Sequence, residues 1–386
     1  MIQQVANKTT KLALFCKVVD NFGDIGICWR LARQLCDEHK IAVTLWVDDL
    51  ISFQKICPEV KIDLRQQFVQ SICIHHWHSQ DEQFQTEEIA DIVIEFFGCD
   101  IPPDYIATMA KCEPKPVWIN LEGLTAEEWV EGCHTLPSSH PQYPLTKYFF
   151  FPGFTSNTGG LLRENNIASD YADFQKDPGN RLAFLSSLGL SHEEAQGFTV
   201  SLFCYPHAPV EDLLRTWEAS GETINCLIPV GVAKQAVHNF LQEEALTGLR
   251  IQRDNLNLRI IPFIPQQAYD QLLWSCDLNF VRGEDSFVRA QWAQTAFIWH
   301  IYPQDENLHH KKLRAFLAKH LATTPASKAF SLAWNDASAN PNWADLWKEF
   351  RQDLPKIRTL SAEWQAEMQD IGDMTSNLLS FINTKR

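Results

Sequence analysis

The segment from 281 to 292, VRGEDSFVRAQW, concentrates side chains that could carry chemistry. It follows an apolar run that predicts a β-strand over 277–281, and a helix is predicted to begin near Phe287. Ser286 or Asp285 could cap that helix and leave its amide groups and positive dipole end facing outward, which favours phosphate binding. The two arginines could hold an anion, and the two carboxylates could move a proton or hold a cation. A solvated capping turn is the simpler alternative.

A second acidic turn follows the first apolar run of the chain. Asp20 and Asp24 flank Gly23, and Gly26 lies two residues further on. Glycines permit a tight turn and close backbone approach, and doubly wound sheets bind ligands at the carboxyl ends of their strands. Asp24 could instead only cap the following helix. The dinucleotide fingerprint G-x-G-x-x-G does not occur, so we do not expect NAD to bind.

Aromatic and amide side chains end two predicted strands in the second half of the chain: Phe203, Tyr205, Phe263 and Gln266. The aromatic rings could stack on a nucleobase and the amide could read its edge. Taken singly, a residue of these types in such a position more often packs in a core. The histidines do not match zinc spacing, and no Asp-x-Asp motif is present, so we expect catalysis without a metal.

Apolar runs alternate with helical patterns from the start of the chain, which predicts doubly wound α/β domains. In the first half we predict one helix over 25–39 and strands over 11–19, 41–47, 72–77, 91–97 and 116–122. Proline and glycine punctuate 133–180, which we interpret as an interdomain region. Beyond it we predict helices over 209–220, 265–275 and 286–294 and strands over 197–205, 223–230, 255–263, 277–281 and 296–302. A single long helix is predicted over 357–384.

Composition narrows the class of protein. The 386 residues suffice for two or three domains, and 45% of them are hydrophobic, so a large core is expected. A formal net charge of -15 argues against a nucleic-acid partner. The 11 cysteines form no C-x-x-C pair and indicate reduced thiols. We see no apolar signal segment and no uncharged run near the roughly 20 residues that span a bilayer, so we expect a cytoplasmic protein without a membrane partner.

Three segments together resemble a known family. VVDNFGDIGICWRLARQL, PFIPQQAYDQLLWSCDLNF and VRGEDSFVRAQWA are similar to the bacterial protein-arginine rhamnosyltransferases that mature elongation factor P (EF-P), the EarP family. The resemblance implies the GT-B glycosyltransferase fold, in which two Rossmann-like domains face each other across a cleft. It implies transfer of L-rhamnose, with inversion, from dTDP-β-L-rhamnose to one arginine of EF-P. The donor is then a co-substrate, and no cofactor is expected.

The resemblance also assigns roles to domains and residues. Residues 1–180 are expected to form the acceptor-side domain and 181–360 the nucleotide-sugar domain, with a helix in 361–386 that could pack back on the first. The expected catalytic residues are Asp20, Asp24 and Glu284, with Asp20 slightly preferred as the base. The expected donor-binding residues are Asn21, Phe22, Gly23, Asp24, Tyr205, Gln266, Arg282, Gly283, Glu284, Asp285 and Ser286.

Two other functions remain open from the sequence. The chain could be a GT-B transferase or epimerase that uses a nucleotide sugar with a small-molecule acceptor. It could also be a non-catalytic protein that only binds a nucleotide sugar. Three carboxylates at predicted strand ends weigh against a purely binding role, because binding alone does not need paired acids.

Overall fold

The structure is a computed structural model. It describes residues 9–20, 22–78, 80, 82–336, 338 and 340–386, with the backbone alone at 305. The chain divides into two compact units. The first unit runs to Asn165 and also includes Ile371–Arg386. The second unit is Asn166–Asp370.

The first unit is built on an eight-stranded sheet of order β3-β4-β2-β1-β5-β6-β8-β7. Its strands are β1 (Lys11–Cys16), β2 (Ala42–Val47), β3 (Gln66–Val69), β4 (Ile72–His76), β5 (Ile92–Phe96), β6 (Val117–Leu121), β7 (Pro137–Ser139) and β8 (Thr146–Phe150). The edge strands β3 and β7 run antiparallel to their neighbours, and the inner strands are parallel. Its helices before Asn165 are α1 (Phe22–Asp37), α2 (Leu50–Ile56), α3 (Pro103–Met109) and α4 (Trp129–Cys133).

Continuous apolar runs explain the central strands of this sheet. Every residue of β5 and β6 is buried, as is typical of parallel strands covered on both faces. Phe15 of β1 stacks on Trp46 of β2 with ring centroids 5.4 Å apart and meets the edge of Tyr105 at 5.0 Å. The strands predicted from the apolar runs of the first half are confirmed, with ends that differ by at most three residues.

The second unit contains a six-stranded sheet of order β11-β12-β10-β9-β13-β14. Its strands are β9 (Phe198–Leu202), β10 (Ile224–Pro229), β11 (Arg250–Arg253), β12 (Leu256–Ile261), β13 (Leu278–Arg282) and β14 (Ala296–His300). Its helices are α5 (Ile167–Lys176), α6 (Pro178–Ser187), α7 (Val210–Glu218), α8 (Lys234–Leu241), α9 (Gln266–Ser275), α10 (Asp285–Trp292), α11 (Leu308–His320), α12 (Pro325–Trp334) and α13 (Trp343–Ile371). The predicted strands and the three predicted helices of this half are confirmed.

Both sheets have a point at which the direction of strand addition reverses. In the first unit β1 lies between β2 and β5, and in the second unit β9 lies between β10 and β13. Such a reversal opens a crevice outside the carboxyl ends of the two strands, and ligands of doubly wound sheets bind there. The turn that contains Asp20 follows β1, and the turn that contains Glu284 follows β13.

The prediction of one helix over 357–384 is wrong. The chain there forms the end of α13 and a separate helix, α14 (Met374–Asn383), because Gly372 adopts a left-handed φ of +91°. Asp373 then caps α14 by accepting the amides of Thr375 at 2.9 Å and Ser376 at 3.1 Å.

Helix α14 is tied to α1 inside the first unit. The Gln34 side chain donates to Asp373 Oδ1 at 3.1 Å and accepts the Thr375 hydroxyl at 2.6 Å. Leu161 and Asp373 also form a parallel bridge. The final helix therefore completes the hydrogen bonding of the first unit.

The prediction that 133–180 only connects domains is also corrected. Strands β7 and β8 lie in it and extend the first sheet, whereas α5 and the start of α6 also lie in it and belong to the second unit. Within the described ranges, none of the helices combines the length and apolar composition that a bilayer crossing requires.

Candidate functional site

The turn after β1 is organised by the carboxylate of Asp24. Its Oδ2 atom accepts the backbone N–H of Val19 at 2.7 Å and that of Asp20 at 2.8 Å. The N–H of Gly23 donates to the Asp20 carbonyl at 2.7 Å, which closes the turn. Asp24 thus accepts hydrogen bonds from residues that precede its helix. The prediction that both aspartates lie in one turn after the first strand is confirmed.

Both carboxylates are largely removed from water. Asp20 is 9% exposed and Asp24 is 5% exposed. Burial raises the pKa of Asp24 above its usual value, although its two backbone hydrogen bonds act in the opposite direction. Carboxylates with perturbed pKa values of this kind cluster at functional sites.

Gly23 is needed because Asp20 approaches it closely. A Cβ atom at this position would lie 2.6 Å from Asp20 Oδ2 and 3.2 Å from its Cγ. Phe22, the first residue of α1, lies beside Lys55, whose Nζ is 5.7 Å from the ring centroid. Asn21, also predicted to bind the donor, lies outside the described residues.

The turn after β13 changes direction at Gly283, which has a φ of +59°. Glu284 occupies the N-cap position of α10, and its side chain makes no capping hydrogen bond. Ser286 does not cap the helix either, because its hydroxyl donates to the Arg282 carbonyl at 2.6 Å and accepts the Arg282 N–H at 2.9 Å. Because α10 begins at Asp285 and Glu284 occupies its N-cap position, the prediction that Ser286 or Asp285 is the capping residue is wrong, and Ser286 closes the turn instead.

Arg282 is stacked between aromatic rings. Its guanidinium carbon lies 4.7 Å from the centroid of Phe203 and 4.7 Å from that of Tyr205, and its Nη1 donates to the Cys204 carbonyl at 3.4 Å. Phe263 meets Phe203 edge-on at 6.2 Å. Two of the rings predicted from the sequence to stack on a base, those of Phe203 and Tyr205, thus lie against an arginine at the carboxyl ends of β9 and β13.

Gln266 joins this group from the start of α9. Its Nε2 atom donates to Asp285 Oδ2 at 3.1 Å. The structure thus brings together, at one edge of the second sheet, the donor-binding residues predicted in this half of the chain: Tyr205, Gln266, Arg282, Gly283, Glu284, Asp285 and Ser286.

The second arginine of the motif pairs with a carboxylate of the protein and not with a bound anion. Arg289 is 2% exposed and forms a two-pronged ion pair with Asp270, with Nε–Oδ1 at 2.8 Å and Nη2–Oδ2 at 2.7 Å. This pair joins α10 to α9. The expectation that both arginines of the segment hold an anion is corrected for Arg289.

Sequence reasoning missed His300, which contacts both loops of this group. Its Nδ1 atom accepts the Tyr205 N–H at 3.2 Å, and its backbone carbonyl accepts the Gly283 N–H at 3.2 Å. The available signal was a polar residue at the end of an otherwise apolar strand, in register with Arg282.

Among the described residues, no group of three or more His, Cys, Asp or Glu side chains is arranged to hold a metal ion. The turn after β1 lies in the first unit and the turn after β13 in the second, and their meeting across a cleft stays a prediction.

Comparison with known proteins decides the family. The profile of the family described as "Elongation-Factor P (EF-P) rhamnosyltransferase EarP" matches residues 12–383. The chain belongs to the EarP family. The resemblance recognised in the acidic turn and in the Arg282–Ser286 turn is thereby confirmed.

Relatives of this EarP-family chain are similar over almost their whole length. It is 40% identical to the protein-arginine rhamnosyltransferase of Pseudomonas putida, with 95% of this chain and 97% of that protein covered. It is 39% identical to the enzyme of the same name from Shewanella oneidensis, with 96% of each covered. For the Neisseria meningitidis protein of that name the identity is 35%, again over 96% of each.

Solved structures give the fold. One, described as "Structural basis for EarP-mediated arginine glycosylation of translation elongation factor EF-P", matches with a TM-score of 0.67 and 28% identity, covering 98% of this chain and 100% of that chain. A UGT transferase from Siraitia grosvenorii in complex with UDP matches with a TM-score of 0.50 at 9% identity, covering 97% of this chain and 99% of that chain. The GT-B fold predicted for this EarP-family enzyme is confirmed.

Proposed function

We propose that this EarP-family rhamnosyltransferase moves L-rhamnose from dTDP-β-L-rhamnose, with inversion at the anomeric carbon, to the side chain of one arginine of EF-P. The observation that carries the proposal is the turn after β1, where Asp24 holds the backbone of Asp20 and two buried carboxylates share one strand end. The acceptor is a translation factor, so we assign the reaction to the cytoplasm.

The acceptor sets the main energetic difficulty. An arginine side chain has a pKa of about 13, so removing its proton before reaction costs roughly 8 kcal/mol at pH 7. A carboxylate with a pKa of about 4 cannot remove that proton before the reaction begins. The proton must therefore leave the attacking nitrogen while the new C–N bond forms.

The two aspartates divide this task. Asp20 contacts the guanidinium through charge-assisted hydrogen bonds, which localise its π electrons and turn one nitrogen toward the sugar. That nitrogen attacks the anomeric carbon as the bond to the dTDP oxygen breaks, and Asp20 accepts the proton. One carboxylate oxygen of Asp24 already accepts two backbone N–H groups, so the chief part of Asp24 is to hold Asp20 in place.

The turn after β13 supports the leaving group. Backbone amides at the start of α10 point toward developing negative charge, and Arg282 adds a positive charge stacked on aromatic rings. This arrangement can stabilise departing dTDP without a metal. Glu284, at the N-cap of α10, would hold the sugar or orient the arginine.

The decisive experiment combines transfer and binding. Incubation of the protein with EF-P and dTDP-β-L-rhamnose should add one deoxyhexose, which intact mass detects and fragmentation assigns to arginine. Asp20→Asn should lower turnover by about 100-fold or more while calorimetry finds dTDP affinity near that of the wild type. Ser286→Ala should lower dTDP affinity by about 3- to 10-fold, because it opens the turn that presents the amides.

Other results would redirect the assignment. Transfer to a small molecule but never to EF-P would favour a different GT-B transferase. Loss of dTDP binding in folded Asp20→Asn would contradict the role given to Asp20. If Asp20→Ala, Asp24→Ala and Glu284→Ala all left EF-P modification in cells unchanged, a non-catalytic binding role would replace the proposal.

A further inference from the structure

His300 lies where the two loops of the second-unit group meet. It is the last residue of β14, is opposite Arg282 in the parallel register, and has no exposed surface. Its ring accepts the amide of Tyr205 and its carbonyl accepts the amide of Gly283, each at 3.2 Å. One residue therefore fixes the backbone after β9 and the backbone after β13.

The hydrogen bond to Tyr205 defines the protonation of the ring. Because Nδ1 accepts an N–H, it carries no proton, and the neutral ring holds its proton on Nε2. Burial, together with the neighbouring His207 and Arg282 groups, holds the pKa of His300 well below its usual range. The ring is therefore a neutral acceptor at ordinary pH.

The surroundings prevent the ring from turning away. His207 packs edge-on at 4.6 Å, Tyr205 at 5.3 Å, and Trp334 of α12 lies at 5.8 Å between ring centroids. Among the described residues, Nε2 has no hydrogen-bond partner. A buried N–H without a partner is unfavourable, so an apolar ring would suit this position better if packing were its only task.

We propose that His300 is a positioning residue for the sugar nucleotide, which uses its Nδ1 atom to set the backbone of Tyr205 and hence the aromatic wall beside Arg282. This inference rests on the proposed function, because it concerns the site that would bind dTDP-β-L-rhamnose. His300 itself need not touch the donor. Its effect reaches the ligand through the Tyr205 ring and the stacked guanidinium.

Two substitutions of similar polarity separate the acceptor atom from the bulk of the ring. In His300→Asn the side-chain oxygen stands the same number of bonds from the backbone as Nδ1, so it can accept the Tyr205 amide. In His300→Gln the amide group is one bond further out, near the place of Nε2. We expect dTDP affinity within about 3-fold of wild type for Asn and about 10-fold weaker for Gln.

Steady-state kinetics should show the same split. With dTDP-β-L-rhamnose and EF-P, His300→Gln should raise KM for the donor by about 10-fold with kcat changed by less than about 3-fold, and His300→Asn should restore KM. Thermal melting of both variants controls for folding. If His300→Gln does not fold, His300→Asn decides: near-normal dTDP binding supports the inference, and lost binding in a folded protein overturns it.

The remaining outcomes are also decisive. Wild-type protein that does not bind dTDP would overturn the proposed donor and this inference together. If both folded variants bound dTDP as tightly as wild type, the inference alone would be overturned. Equal losses of dTDP affinity in His300→Asn and His300→Gln would overturn it as well.

Discussion

The carboxylate of Asp24 accepts the backbone N–H of Asp20 at 2.8 Å, so one acid of the pair fixes the main chain of the other. A second amide, from Val19, reaches the same oxygen at 2.7 Å. The two aspartates are therefore unequal: one shapes the turn, and the other is carried by it. This asymmetry separates their effects on stability from their effects on turnover.

Asp24→Ala should damage both stability and turnover. It leaves two backbone amides without their acceptor, which should lower the free energy of unfolding by about 1–3 kcal/mol. Asp24→Asn retains an oxygen that can accept those amides, so it should be closer to wild type than Asp24→Ala in both stability and turnover. Urea denaturation and EF-P rhamnosylation measure the two effects. Equal stability of Asp24→Ala and wild type would contradict the structural role.

Gly23→Ala should impair turnover with little change in folding. The added methyl group would lie 2.6 Å from Asp20 Oδ2, so the carboxylate must move. We expect a fall in kcat of about 10-fold or more and a stability change within about 1 kcal/mol. Gly132→Ala is the matched control, because a Cβ atom there meets no atom within 4 Å. Full activity of Gly23→Ala would show that the position of Asp20 is not critical.

Arg289→Ala should destabilise the protein strongly. It would leave the Asp270 carboxylate without the paired guanidinium, and breaking a buried ion pair costs about 3–5 kcal/mol. Arg215→Ala is the control, since its pair with Glu211 is solvent-exposed and should contribute less than about 1 kcal/mol. Chemical denaturation measures both. A stable Arg289→Ala protein that fails to bind dTDP would instead assign Arg289 to anion binding.

His320 should make the protein sensitive to acid. It stacks on Phe297 and Phe316 and lies edge-on to Trp364, and burial lowers its pKa to about 3. Its unfolded pKa is about 6.5, so between pH 6.5 and 3 the unfolded chain binds the proton and the folded chain does not. The free energy of unfolding should therefore fall as pH drops through this window, by about 2 kcal/mol at pH 5.

His320→Phe keeps an aromatic ring and removes the titration. Its free energy of unfolding, relative to wild type, should rise as the pH is lowered from 6.5 toward 4. His192→Phe, at an exposed histidine, should show no such trend. If the free energy of unfolding changed with pH in the same way for His320→Phe and wild type, the assignment would be refuted.

The central strands could be predicted from the sequence because they are continuous apolar runs that bury both faces. Strand β8 was missed because most of its residues are only half-buried and prolines surround it, so it lacks that pattern. Strand β7 begins at Pro137, which an edge strand tolerates because its outer N–H is not needed. The break at Gly372 was missed because the apolar spacing continues on both sides of it.

The positions of the two turns could be predicted from their residue types. The partner of each side chain could not, because it depends on contacts between distant segments. Asp270 lies 19 residues from Arg289, and Tyr205 lies 95 residues from His300. Spacing within a motif cannot show that one arginine is used by a neighbouring helix while another stacks on aromatic rings. It also cannot show that the Ser286 hydroxyl is used by the Arg282 backbone.

The return of α14 to the first unit has a consequence for synthesis of the chain. Gln34 is translated well before its partners Asp373 and Thr375, which follow it by more than 300 residues. Domains generally fold in the order in which they are made, the amino-terminal one first. Here the first unit must wait with an unfinished surface until Asp373 and Thr375 have been made, whereas every residue of the second unit has been polymerised before then.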